Sequence, residues 1–158
     1  MTDRNHRTGE SVRPLSTYDT REWETLADEP WAGSVMRRGD EHALEVQVES
    51  GFAFRRALYP LSGHCGSFLA ENVVARRILL ATLLGAVQND RAPDVADFTK
   101  MLWLVRDGPA DELARRLEDL DGPRGEVRYW LAMLYRTDPA APDLAAGSWH
   151  EILERLGF

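Results

Sequence analysis

Cysteine and lysine occur once each in this 158-residue chain, as Cys65 and Lys100. A lone thiol excludes an intramolecular disulfide, so no cross-linked scaffold is expected and a reducing, cytoplasmic location is. Arginine stands almost everywhere that lysine could, a bias that fits a GC-rich bacterial genome. Long apolar runs are missing too. The longest uncharged one, Ile78 to Val87, reads ILLATLLGAV and is about half of the roughly 20 residues a membrane span needs. It reads as a buried helix, and no membrane partner is expected. Met1 to Arg7 is polar, without the apolar stretch of a secretory signal.

Signature motifs are equally scarce. There is no C-x-x-C and no H-E-x-x-H, and His150 with Glu154 offers too few ligands for a zinc site, so no metal is expected. Neither the P-loop pattern nor G-x-G-x-x-G occurs, so no nucleotide cofactor is expected either. The formal net charge is −7. That balance argues against nucleic acid, whose phosphates are bound by clustered cations, and suits a protein partner with a basic surface.

What is present is enough for a core: 44% hydrophobic residues, with five Trp and five Phe. The pattern predicts a mainly α fold, a compact multi-helix bundle with a small N-terminal β-hairpin, and α+β as the alternative. Residues 1–15 read as a flexible tail and 16–158 as a single domain. Asp19 and Glu22 resemble a capping box for a short helix carrying Trp23 and Leu26, which Pro30 breaks. Leu44, Val46 and Val48 alternate with Glu45, Gln47 and Glu49, which predicts a strand or hairpin over 34–49 turned at Arg38-Gly39-Asp40. A short helix is expected around Phe52–Leu58. Such a hairpin must be covered by helices or by another chain, which makes a homodimer an expectation.

Beyond residue 66 the periodicity is helical. Ser67 is the expected cap of one helix running to Val87, in which Gly85 would admit a close neighbour. Asp94 caps the next, Gly108-Pro109 and Gly122-Pro123 punctuate two more, and Ser148 with Glu151 forms a capping box for the last. Residues 137–147 read as a loop.

The stretch Ser62-Gly63-His64-Cys65-Gly66-Ser67 is the most suggestive chemically. A cysteine at a helix start can be held as thiolate by the dipole, and flanking glycines permit close approach. Cys65 and His64 are therefore the candidate catalytic residues, with His42 or His150 as other possible bases. Arg55 and Arg56 are the candidate ligand-binding residues, should folding gather the pairs Arg37-Arg38, Arg55-Arg56 and Arg76-Arg77 near the thiol. Solvated faces and surface ion pairs are the preferred explanation of those pairs. A third pattern, Asp111 to Leu117 followed by Val127 to Leu131, resembles a helix-turn-helix for DNA, with a gap from Glu118 to Glu126 longer than that motif's turn.

The expected function is a small non-catalytic interaction protein, such as a regulator, an accessory subunit or an immunity-type inhibitor. The alternative is a small enzyme or ligand-binding protein built on Cys65 and nearby arginines. Trp103, Trp130 and Trp149 read mostly as core, and an exposed tryptophan would instead indicate an interface anchor.

Overall fold

The computed structural model describes residues 22–50, 53–138, 144 and 146–158. It is an α+β fold. Among the described residues four antiparallel strands come first: β1 (Glu24–Glu29), β2 (Gly33–Arg38), β3 (Glu41–Ser50) and β4 (Ala53–Leu61). They form one sheet in the order β1-β2-β3-β4. Among the described residues six helices follow: α1 (Gly63–Glu71), α2 (Val73–Gln88), α3 (Val95–Asp107), α4 (Ala110–Asp121), α5 (Glu126–Tyr135) and α6 (Trp149–Arg155). No helix among the described residues is long and apolar enough to cross a membrane.

The hairpin is where the alternation puts it, with Arg38 facing Glu41 and positive-φ Gly39 in the turn. Two expectations fail on either side of it. Trp23 and Leu26 lie before and within strand β1 rather than on a helix, and the Asp19 cap falls outside the described residues. The helix expected at Phe52–Leu58 is strand β4; Phe52 itself is not among the described residues. Both corrections have one cause. Strand pairing continues the ladder, Leu44 opposite Tyr59 and Val46 opposite Ala57, and satisfies a row of backbone groups that a helix there would leave open on β3.

The single helix expected over 67–87 is two. Ser62, not Ser67, caps α1 through its hydroxyl, which accepts from the Cys65 N–H at 3.1 Å. Asn72 interrupts the run at φ −115° and ψ 95°. Its side-chain amide donates back to the Phe68 carbonyl at 2.8 Å, offering the backbone an alternative to continued helix.

The core lies between the helices and one face of the sheet. Val35, Leu44, Val46 and Tyr59 meet Ile78, Leu80 and Leu84, all essentially buried. Tyr59 stacks on Phe98 with ring centroids 4.2 Å apart and donates its hydroxyl to the Pro93 carbonyl at 2.9 Å. α2 is the central element because its second half is apolar all round, so neighbours must cover it on several sides. Gly85 receives the Glu126 side chain of α5, as its lack of a side chain allows. Further out, Asp94 caps α3, and Ser148 with Glu151 makes the complete capping box of α6.

Ser34, Met36, Ala43, Glu45 and Leu58 project from the opposite sheet face and are also buried. Burial raises the Glu45 carboxyl above the ordinary carboxylate range, against the opposing pull of Arg56 and of the Ser34 hydroxyl. A raised folded-state value favours the protonated form. The associated stability is complete below the ordinary range and is lost as pH rises through the raised value. Glu45→Gln should therefore be more stable than the parent at neutral pH, and the gap should close below about pH 4. Urea midpoints across that range check it; a parent more stable at neutral pH would contradict it.

Candidate functional site

Cys65 sits in the first turn of α1, half-buried. Its neighbour His64 is exposed. The imidazole packed against this turn is that of His42 from β3: a side chain on Gly66 would meet its Cδ2 at 2.5 Å. Gly66 is thus needed for that approach, and the His42 Nδ1 is buried with no hydrogen-bond partner.

The arginine pairs do not converge on the thiol. Arg55 is held by Asp90 in a two-pronged ion pair at 2.9 and 3.2 Å. Arg56 points from the other face of β4, its guanidinium 4.0 Å from the centre of the Phe54 ring. Arg37 and Arg38 pair with Glu24 and Glu41 on β-strand edges. The guanidinium that reaches Cys65 belongs to Arg106 of α3, its Nη1 3.8 Å from Sγ. Arg106 also lines an open cleft of about 380 Å³ at the start of α2, walled by Phe68, Val73, Val105, Leu156 and Phe158. No group of three or more metal-ligating side chains occurs among the described residues.

Arg76 and Arg77 are not the solvated pair that their sequence suggests. Arg76 is 6% exposed and forms an ion pair with Glu29 of β1 at 2.7 Å. Its Nη1 donates to the Leu69 and Ala70 carbonyls at the end of α1, at 2.9 and 3.1 Å. Arg77 takes the other Glu29 oxygen at 3.0 Å and lies over the Tyr135 ring. Glu29 thereby anchors the end of β1 to α2.

Two residues beyond that anchor is one of the two non-glycine residues with positive φ among those described, the other being Asp90. Trp31, in the turn between β1 and β2, has φ 68°. The left-handed region crowds Cβ against backbone and costs a non-glycine residue on the order of 1–2 kcal/mol. The ring is not buried in exchange: Trp31 is 42% exposed. It meets half-buried Trp130 of α5 at 6.1 Å between centroids. Trp130 in turn makes an edge-to-face contact at 5.3 Å with Tyr129, which is 57% exposed. Three aromatic side chains from two distant parts of the sequence form one surface patch.

α5 also bears on the helix-turn-helix resemblance. α4 extends to Asp121, so the turn to α5 is shorter than the sequence spacing suggests. Asp121 accepts from the Arg128 backbone N–H and from its guanidinium, doing for α5 what an N-cap does. With Arg128 so held, the exposed side of α5 presents aromatic surface where base and phosphate contacts would require cations. Of the three tryptophans that sequence reasoning places mostly in the core, Trp149 is buried, Trp130 is half-buried against the core, and Trp103 is 50% exposed. The available signal at Trp130 was the pair Tyr129-Trp130, of which only one member can face inward on a helix.

Comparison with known proteins gives no family: no family model, no curated protein and no solved structure matches this chain.

Proposed function

We propose that this protein is a non-catalytic interaction module that docks a basic protein partner on the patch formed by Trp31, Trp130 and Tyr129. The observation that carries the reading is Trp31 itself. A strained backbone persists where surrounding structure or function demands it. Trp31 takes its positive φ at the third position of the Glu29–Ala32 turn, which the Ala32 N–H closes by donating to the Glu29 carbonyl at 3.0 Å. Glycine would serve that turn without strain, and the chain instead places an indole there, at the surface next to two more aromatic rings. Tryptophan and tyrosine are the side chains most enriched among residues that dominate binding energy.

The partner's chemistry follows from what the other rings do. Within the described residues, arginines lie over Trp23, Phe54, Tyr135 and Trp149. Trp31, Trp130 and Tyr129 have ring neighbours instead. An aromatic face attracts a guanidinium or ammonium group, by about 0.5–2 kcal/mol depending on desolvation. A chain with net charge −7 adds long-range attraction for a basic surface.

Trp31→Gly separates binding from folding. Glycine tolerates the positive φ, so stability should hold or rise by up to about 1 kcal/mol. Affinity for the partner should fall at least roughly ten-fold. The partner would be captured from a native lysate on immobilised protein, identified by mass spectrometry, and its isotherm measured against Trp31→Gly and Tyr129→Ala. A basic partner bound less tightly by both variants supports the assignment. An acidic partner, or one bound equally well by both, would sink it.

A further inference from the structure

On the docking reading above, the carboxylates around Trp31, Trp130 and Tyr129 decide which cation fits best. An arginine brings five N–H donors and a lysine three, and covering either removes water from them. A good site for one of them therefore sets a carboxylate beside the rings. Within four residues of these rings the sequence holds Asp28, Glu29 and Glu126, and each is turned elsewhere. Asp28 accepts the Ser34 hydroxyl at 2.8 Å on the far face of the sheet. Glu29 gives its two oxygens to Arg76 and Arg77, at 2.7 and 3.0 Å. Glu126 lays its carboxyl against Gly85 of α2, where an added Cβ would meet it at 2.7 Å. The rings offer aromatic surface without an acceptor.

We infer that the patch docks a trimethylated lysine of the partner protein. A quaternary ammonium keeps its full positive charge and has no N–H to satisfy, so aromatic faces hold it without a carboxylate. Ring orientation favours the same group. Trp31 and Trp130 are inclined at 35°, and Tyr129 stands at 81° to Trp130. A planar guanidinium lies over one ring, as the chain's own arginines do at Trp23, Phe54, Tyr135 and Trp149. A rounded cation touches differently inclined planes at once. The net charge of −7 attracts it as it attracts any basic segment. Openness identifies the source as a protein side chain and not a free choline-like molecule. Small-ligand pockets bury roughly 70–90% of what they hold, whereas Trp31 and Tyr129 are 42% and 57% exposed. Rings this open cover one side of a headgroup, and flanking peptide supplies the remaining contact.

The test titrates the full chain with a short basic peptide and follows the indole N–H resonances by nuclear magnetic resonance. The peptide's central residue is lysine, trimethyl-lysine, arginine, or the uncharged carbon isostere of trimethyl-lysine. The trimethylated peptide should bind roughly five-fold tighter or more than the lysine and isostere peptides. Trp31→Gly and Tyr129→Ala, each with unchanged circular dichroism, should erase that preference. Equal affinity for the trimethylated and uncharged peptides would mean apolar contact alone and overturn the inference. So would a trimethylated peptide that fails to bind at about millimolar concentration, a free energy of roughly −4 kcal/mol. Tighter binding of the arginine peptide, lost in both variants, overturns the methyl-lysine assignment and leaves the docking reading in place. Choline bound as tightly as the trimethylated peptide overturns the protein source.

Discussion

Glu29→Ala should lower the unfolding free energy by about 3–5 kcal/mol, the penalty typical of removing one member of a buried ion pair. Glu29 and Arg76 are both almost fully buried, and Arg76 also donates to two helix-end carbonyls. Without Glu29 the Arg76 charge stays in the interior, held by those dipoles but no longer neutralised. Arg77 loses its closest partner as well and keeps the Tyr135 ring and Asp138, 3.9 Å away. Removing both ends of the pair together should be far milder. Glu29→Leu with Arg76→Leu leaves no buried charge, though the Leu69 and Ala70 carbonyls lose a donor. Recovery of a large part of the loss, but not all of it, is the expected result of that cycle. The consequences reach the proposed interface, because Glu29 fixes the strand end from which Trp31 emerges. Urea denaturation measures the stability change. A Glu29→Ala loss below about 1 kcal/mol would mean that water reaches this pair and that it resembles a surface ion pair.

The elements legible in the sequence were those with one strong period. Leu44, Val46 and Val48 alternate cleanly because one side of β3 meets the helical core, and the capped helices α3 and α6 carry both their start signals and an apolar stripe. β4 was illegible because both of its faces are partly apolar. Ala57 and Tyr59 point one way while Phe54 and Leu58 point the other, which erases the alternation. β1 was misread because Trp23 and Leu26 are three apart, a helical spacing, and because an edge strand has only one neighbour to impose its register. The break at Asn72 carries no glycine or proline, and apolar residues continue at helical spacing across it. Chain direction changes there through a side-chain hydrogen bond that periodicity does not register.

The candidate site was legible only in its parts. Cysteine, histidine and paired arginines attract notice because their chemistry is local. Which guanidinium meets the thiol, and which tryptophan is exposed, depends on packing between elements far apart in sequence. Asp107-Gly108-Pro109 and Asp121-Gly122-Pro123 make the point sharply. The two tripeptides look alike, yet Gly108 has φ −74° and Gly122 has φ +61°. Pro109 directly precedes α4, whereas Pro123 lies inside the turn ahead of Gly125. Identical punctuation produced different geometry because Asp121 is buried and ties the second turn to Arg128.

Gly33→Ala should rank with Glu29→Ala in cost, at about 3 kcal/mol, the upper end of what overpacking usually incurs. Gly33 opens β2 opposite Val46, on the side that faces α2. A methyl group there would overlap the Glu45 carbonyl oxygen and approach Leu80 Cδ2 to 2.9 Å. The two clashes differ in kind. Leu80 is a side chain with rotamers, whereas the carbonyl belongs to the ladder of β3 and moves only if strands separate. Leu80→Ala alone should cost about 2–5 kcal/mol, since it empties a fully buried site at the centre of the core. Combining it with Gly33→Ala relieves the softer clash and leaves the backbone one. The double variant should therefore be less stable than Leu80→Ala. If the alanine at 33 instead restores stability to the Leu80→Ala chain by filling its cavity, the strand spacing at Gly33 is adjustable. The sheet would then be seated on α2 by side-chain volume and not by the close approach of bare backbone.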